Sequence, residues 1–181
     1  MIKLNMPVTR EDVENLKSGD MVSISGVLYT ARDAAHKRLI ECLENGKELP
    51  FDVDGQGIYY VGPSPTKEGG VIGSAGPTSS YRMDDLTIPL LEKGLKIMIG
   101  KGKRGDNVIE GMKKYGAVYL AAIGGAGAYI SNKIKSCEII AYDDLGAEAI
   151  RRIEVEDLQL TVAIDSKGNN IYETGRKEYQ R

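Results

Sequence analysis

Residues 95–123, LKIMIGKGKRGDNVIEGMKKYGAVYLAAI, constrain the fold more than any other part of the chain. They read as a strand over 95–99, a glycine loop, a helix over 106–115 and a second strand over 117–122. The same alternation continues on both sides. "TREDVENLKSGD" opens with a Thr9 to Asp12 capping signal and closes on a Gly19 turn, which brackets a short helix. "MVSISGVLYTA" alternates like a strand, and from Asp33 the spacing of Ala35, Leu39, Cys42 and Leu43 predicts an amphipathic helix stopping at Gly46. "GIYYVGPSP" reads as a strand ended by prolines, "GSAGPTSSYRMDDL" as a loop entering a short helix, and "IPLLEKG" as another helix. Further on, a strand is expected at "CEIIAY" and helical turns around "DLGAEAIRRI". "LQLTVAIDSKGNNIYE" reads as a strand, a Lys167-Gly168 turn and a return strand, before a charged tail from about residue 173. The expected class is therefore α/β, in one domain spanning 1–181.

The glycines at 100, 102 and 105 spell G-x-G-x-x-G, which raises the question of a dinucleotide site. Such a site needs an acidic residue about 20 positions on, at the end of the second strand, to bind the ribose. Nothing acidic stands between Gly116 and Lys135, and the loop carries Lys101, Lys103 and Arg104. A nucleotide-binding module using this loop is therefore the weaker reading. What remains is a helix N-terminus at Asp106 with free N–H groups and positive dipole for an anion, or simply a solvated turn.

Two other junctions share that chemistry. "TARDAAHKRL" places Arg32, His36 and Lys37 at one strand-to-helix passage, and "GPTSSYRMDD" places Thr78 and Arg82 at another. If a helix begins at Pro77, Thr78 and Arg82 share a face beside free first-turn N–H groups. Singly, each is also read as a solvated charge, a cap or a local hydrogen-bond partner. Together they form a cationic, donor-rich set suited to a small dicarboxylate, since charge-assisted hydrogen bonds contribute about 1.5 to 3 kcal/mol each.

Net charge is −2, from 24 basic and 26 acidic residues, so no chain-wide basic field is available for nucleic acid or an anionic membrane. The start has no apolar leader segment and the longest apolar stretch is short and broken by glycines, so the expectation is a cytoplasmic protein without membrane association. The two cysteines, Cys42 and Cys137, are expected to be buried thiols, and with His36 the only histidine the chain cannot assemble a zinc or iron-sulfur ligand set alone.

The segments "ARDAAHKR", "IYYVGPSP", "GPTSSYRMD", "IGKG", "AAIGGAGAY" and "IDSKGNNIY", in this order from about Gly19 to Tyr172, resemble the beta subunit of class I iron-sulfur-dependent fumarate hydratase, a module shared with L-tartrate dehydratase. The resemblance implies a swivelling-type α/β domain with a mixed central sheet flanked by helices. It also implies a hetero-oligomer with an alpha subunit that holds a 4Fe-4S cluster through three cysteines. It implies Thr78 as the catalytic base, and Arg32, Arg82 and Lys101, with Gly76, as the substrate-binding set; His36 is carried as a supporting catalytic residue. The "SSY" between Thr78 and Arg82 departs from many relatives, which hold smaller residues there. The activity implied is reversible hydration of fumarate to L-malate, with L-tartrate dehydration as the alternative and a noncatalytic interaction subunit as a reading of another class. "AAIGGAGAY" reads either as a strand end closely approached by another backbone or as a tight turn.

Overall fold

The computed structural model describes residues 1–122 and 125–179. The elements are β1 (Ile2–Asn5), α1 (Arg10–Glu14), β2 (Met21–Thr30), α2 (Asp33–Glu44), β3 (Gly57–Tyr59), α3 (Asp84–Glu92), β4 (Ile97–Gly100), α4 (Asp106–Tyr115), β5 (Val118–Ala121), α5 (Gly127–Lys133), β6 (Ile134–Ala141), β7 (Ile150–Ile164) and α6 (Ile171–Tyr179). Short 3-10 turns at Ser80–Met83 and Asp143–Glu148 precede α3 and β7. The sheet order is β1-β2-β3-β4-β5-β7-β6, and β7 also pairs with β2. Strands β2, β3, β4, β5 and β7 therefore close on themselves, with β1 and β6 continuing outward.

Neighbours from β1 to β5 are parallel, while β7 runs antiparallel to β2, β5 and β6, so the sheet is mixed. This is the α/β, swivelling-type architecture expected from the sequence. Closure requires the long strands to bend. The register of β2 against β7 shifts between Ile24 and Gly26, where Gly26 takes a φ of 107° that a side chain rarely adopts.

Alternation along the strands separates two cores. Val22, Ile24, Leu28, Tyr59, Ile97, Ile99, Val118, Leu120, Val155 and Val162 fill the inside of the closed sheet. Ile58, Tyr60, Met98 and Tyr119 face the other way, against Leu39 of α2, Leu90 and Leu91 of α3, and Val108 and Met112 of α4. Of the glycine loop after β4, Arg104 is drawn into this outer core beside Tyr60 and Tyr119, while Lys101, Gly102 and Lys103 stay exposed.

Local chemistry accounts for most boundaries. Thr9 and Asp12 form a reciprocal capping box at α1. α4 occupies the residues expected of it, with Gly105 before it and Gly116 after it. Three departures are instructive. The return strand expected after Lys167-Gly168 is α6 instead, because the Asn170 side chain accepts the Tyr172 N–H at 3.0 Å and starts a helix. The helical turns around "DLGAEAIRRI" end at Glu148, and "IRRI" begins the long strand β7. "GAYISNK" forms α5, while the Ile123 and Gly124 part of "AAIGGAGAY" lies outside the described residues.

The cysteines also differ from expectation. Cys42 and Cys137 are both half-buried; Cys137, on β6, packs at the margin of the cluster inside the closed sheet, and Cys42 lies 3.5 Å from the Tyr142 hydroxyl. Burial still pushes the Cys137 thiol pKa up. Among the described residues no helix is long and apolar enough to cross a membrane.

Candidate functional site

The site grows from the carboxyl ends of three parallel neighbours, β2, β3 and β4, where the chain leaves the sheet and its polar groups are free for ligands. After β3, residues 62–79 run without regular structure and return alongside β4. There Thr78 donates its N–H to the Tyr60 carbonyl at 2.7 Å and accepts the Lys101 N–H at 3.3 Å, while Ser80 donates to the Lys101 carbonyl at 2.9 Å. Ser79 and Lys101 thus form an isolated parallel bridge that extends the sheet by one step. Thr78 and Lys101, 23 positions apart in sequence, become backbone neighbours.

No helix begins at Pro77, because Thr78 is engaged in this bridge; the 3-10 turn starts at Ser80, so the condition for Thr78 and Arg82 to share a helix face is not met. Thr78 is therefore held by strand-like pairing, and its N–H is not a free helix-end donor. Thr78 is half-buried and Lys101 exposed.

Arg32 follows β2 and stands at the N-terminus of α2. Its Nε lies 3.7 Å from Asp33 Oδ2 and 3.7 Å from Glu148 Oε1. Arg82, on the 3-10 turn, donates its Nε to Asp33 Oδ1 at 2.9 Å. Asp33 therefore spans the two arginines. Glu148 is fixed by accepting the Ala34 N–H at 3.2 Å. Gly62 leaves room for Arg32, since a Cβ there would stand 2.7 Å from its Nη1. Neither acid nor Gly62 was predicted as part of the site; the usable signal was an aspartate adjoining an arginine in a junction otherwise rich in cations.

The described geometry thus brings together Thr78 with Lys101, and Arg32 with Arg82, and the 3-10 turn joins the two pairs through chain continuity. Gly76 is exposed, and it faces Gly127 so closely that a Cβ on Gly127 would be 3.0 Å from the Gly76 nitrogen. Close approach of a backbone is therefore realised within this chain, at the start of α5. Arg32, Arg82 and Lys101 outnumber Asp33 and Glu148, so these five side chains leave the rim with a net positive charge.

His36 takes a different place. It is wholly buried, its Nδ1 lies 2.8 Å from the Arg32 carbonyl oxygen, and its ring meets Tyr60 edge-on at 5.4 Å. Expected among the catalytic residues, it is enclosed in the outer core and touches the site only through the Arg32 backbone. Burial pushes its pKa down to about 4, opposed by the Arg32 carbonyl and reinforced by the charge of Arg104. The ring is therefore neutral at pH 7, with the proton on Nδ1 and Nε2 buried without a partner.

Unfolded, the imidazole binds its proton near pH 6.5, and folded only near 4, so the unfolded chain holds the extra proton between those values. Stability contributed by neutral His36 is complete above pH 6.5 and is lost as pH falls toward 4. In urea titrations, His36→Gln is expected to flatten the pH dependence across that window by up to about 1.4 kcal/mol per pH unit. A mutant with the wild-type slope would contradict the assignment.

Arg104, the third cation of the glycine loop, is also buried. Its side chain is completely buried, with Nε donating to Asp84 Oδ1 at 2.6 Å, Nη1 to the Tyr60 hydroxyl at 3.1 Å and Nη2 to Thr87 Oγ1 at 3.0 Å. The second Asp84 oxygen accepts the Gly105 N–H at 2.8 Å. A carboxylate of this chain therefore occupies one of the donors at the start of α4 that an anion would use. The glycines have separate local reasons: at Gly100 a Cβ would collide with Ser80 Oγ, and Gly102 adopts φ 80°. The loop is a packed turn, and only Lys101 and Lys103 of its cations reach solvent.

Comparison with known proteins decides the family. Residues 1–175 match the family described as "Fumarase C-terminus". The chain belongs to the fumarase C-terminal family. A Methanocaldococcus jannaschii protein provisionally named the beta subunit of L(+)-tartrate dehydratase is 39% identical over 181 residues, covering 96% of this chain and 93% of that protein. The aerobic class I fumarate hydratase of Escherichia coli is 42% identical over 154 residues, covering 84% of this chain and 28% of the enzyme. Fumarate hydratase 2 of Leishmania major is 38% identical over 176 residues, covering 94% and 31%. This fumarase C-terminal chain thus spans nearly all of the separate tartrate dehydratase subunit but about a third or less of the two fumarate hydratases. Its class is that of the class I fumarate hydratase and tartrate dehydratase beta subunits, a hydro-lyase family.

Proposed function

We propose that this chain is the beta subunit of a class I hydro-lyase that interconverts fumarate and L-malate, with Thr78 as base and Arg32, Arg82 and Lys101 as carboxylate ligands. The observation that carries the reading is the Ser79–Lys101 bridge, which sets a threonine and a lysine from distant segments side by side at the strand ends. Among the described residues no group of three or more His, Cys, Asp or Glu side chains is gathered to hold a metal ion, and the sequence has two cysteines. A four-iron cluster does not fit this donor set; it belongs to an alpha subunit, where it would lend Lewis-acid assistance to the departing hydroxyl.

The chain's own groups account for the other half of the chemistry. In the dehydration direction L-malate yields fumarate and water: a proton leaves the carbon beside one carboxylate, hydroxide leaves the adjacent carbon, and the double bond forms between them. Thr78 Oγ1 takes the proton. A threonine hydroxyl is a weak base, so its surroundings must favour charge, and the net cationic rim does so. The arginines and Lys101 orient the two carboxylates and stabilise charge that develops on the one beside the abstracted proton. Gly76 offers backbone unobstructed by a side chain. His36 supports the Arg32 backbone from below.

A second reading is L-tartrate dehydration, favoured by the near full-length match to the separate M. jannaschii subunit. The same clamps serve both substrates, and a pocket built to bond the extra hydroxyl would discriminate against malate. The test is to combine the chain anaerobically with its cluster-bearing partner and follow fumarate absorbance after adding malate, with tartrate in parallel. Fumarate formation that needs both chains is the expected result. Turnover of tartrate alone would replace the substrate, and an inactive, cluster-loaded complex would overturn the reading.

A further inference from the structure

We propose that Tyr119 is a positioning residue whose hydroxyl locks the Lys101 loop to the Thr78 segment and so sets the separation of lysine and base. The inference rests on the reading of Thr78 and Lys101 given above. Tyr119 lies in the middle of β5, is completely buried, and has its ring on the helix side of the sheet. Its hydroxyl donates to the Gly102 carbonyl at 2.9 Å and lies 2.9 Å from Ser80 Oγ. A phenol has one proton, so with that proton on Gly102 it accepts from the serine. Gly102 directly follows Lys101, and Ser80 stands two residues after Thr78. One oxygen atom therefore ties together both segments that carry the proposed chemistry.

This tie is independent of the backbone bridge. The bridge fixes Ser79 against Lys101 but leaves the turn beyond Lys101 to a glycine at φ 80°, which has no side chain to hold it. The Tyr119 hydroxyl supplies that hold from beneath. The phenol is itself immobilised: Arg104 lies 5.3 Å from its ring centroid and equally far from that of Tyr60, whose carbonyl accepts the Thr78 N–H. The closeness of Ser80 to Gly100, where a Cβ would meet Ser80 Oγ, shows that no slack remains between the segments. A reacting group misplaced by about 1 Å loses on the order of a hundredfold in rate, so a small drift here has a measurable effect.

The discriminating experiment is a double-mutant cycle in the assembled complex, using Tyr119→Phe and Lys101→Met. Tyr119→Phe keeps the ring and removes only the shared oxygen. It is expected to lower kcat/KM for malate or tartrate, whichever the wild type turns over, by about tenfold, but by less than twofold when Lys101 is already methionine. Ser80→Ala, which cuts the other end of the tie, should show the same dependence on Lys101 with a smaller loss. In the purified chain, amide exchange in residues 78–83 and 101–105 should accelerate in Tyr119→Phe while α1 is unaffected. Equal fold losses in both Lys101 backgrounds, or an unchanged kcat/KM in Tyr119→Phe, would overturn the positioning role alone. A wild-type complex that turns over neither substrate would instead remove the reading beneath it.

Discussion

Replacing Thr78 with alanine in the assembled complex is expected to lower kcat by two to four orders of magnitude while leaving assembly and thermal stability close to wild type. The size follows from the role: positioned proton transfer contributes about 10² to 10⁴ in rate. The selectivity of the effect follows from the structure, because Thr78 is held by its backbone. Its N–H reaches Tyr60 and its carbonyl receives Lys101, and alanine keeps both bonds. The side chain is half-buried, so the methyl and hydroxyl lost are not core packing. Thr78→Ser, which retains the hydroxyl, should keep a substantial part of the activity. The measurement is fumarate absorbance for rate, with size-exclusion chromatography and melting temperature as controls. An alanine variant within threefold of wild type would remove Thr78 from the role of base.

What the sequence discloses here depends on the range of the interaction. α4 was legible because helix periodicity, bracketing glycines and flanking strands act within a few residues. The site residues at the strand ends were legible as chemistry, through arginine, threonine and lysine clustered at loop junctions. Their arrangement was not legible. The Thr78–Lys101 pairing depends on a strand-like bridge between segments separated by all of α3 and β4, and no local pattern encodes it. The same limit explains α6, where "NNIYE" is too short to separate a strand from a helix and the Asn170 cap makes the choice. It also explains His36 and Arg104: a histidine or arginine beside cations looks the same in sequence whether it faces solvent or the outer core. Burial is set by which way β3 and β5 turn Tyr60 and Tyr119, and that is a property of the closed sheet.

Arg104→Met is expected to destabilise the chain by about 3 to 5 kcal/mol, the largest stability effect anticipated for a cation of the glycine loop. The cause is desolvated charge. With the guanidinium gone, Asp84 keeps the Gly105 N–H but loses its ion pair at 13% exposure, and the hydroxyls of Tyr60 and Thr87 each lose a donor. Arg104→Lys restores charge without the planar fork that reaches three side chains at once, so it should recover only part of the loss. Lys103→Met, one residue away and exposed, provides the contrast and should change stability by no more than about 0.5 kcal/mol. Urea denaturation of the three variants at pH 7 makes the comparison, and adding Asp84→Asn to Arg104→Met should return part of the stability by removing the stranded carboxylate. If Arg104→Met and Lys103→Met behaved alike, the loop would be a solvent-facing cationic turn, open to the anion-binding role that its glycine spacing first suggested. A large difference would mean that its lysines act from a turn anchored by the arginine between them and the helix.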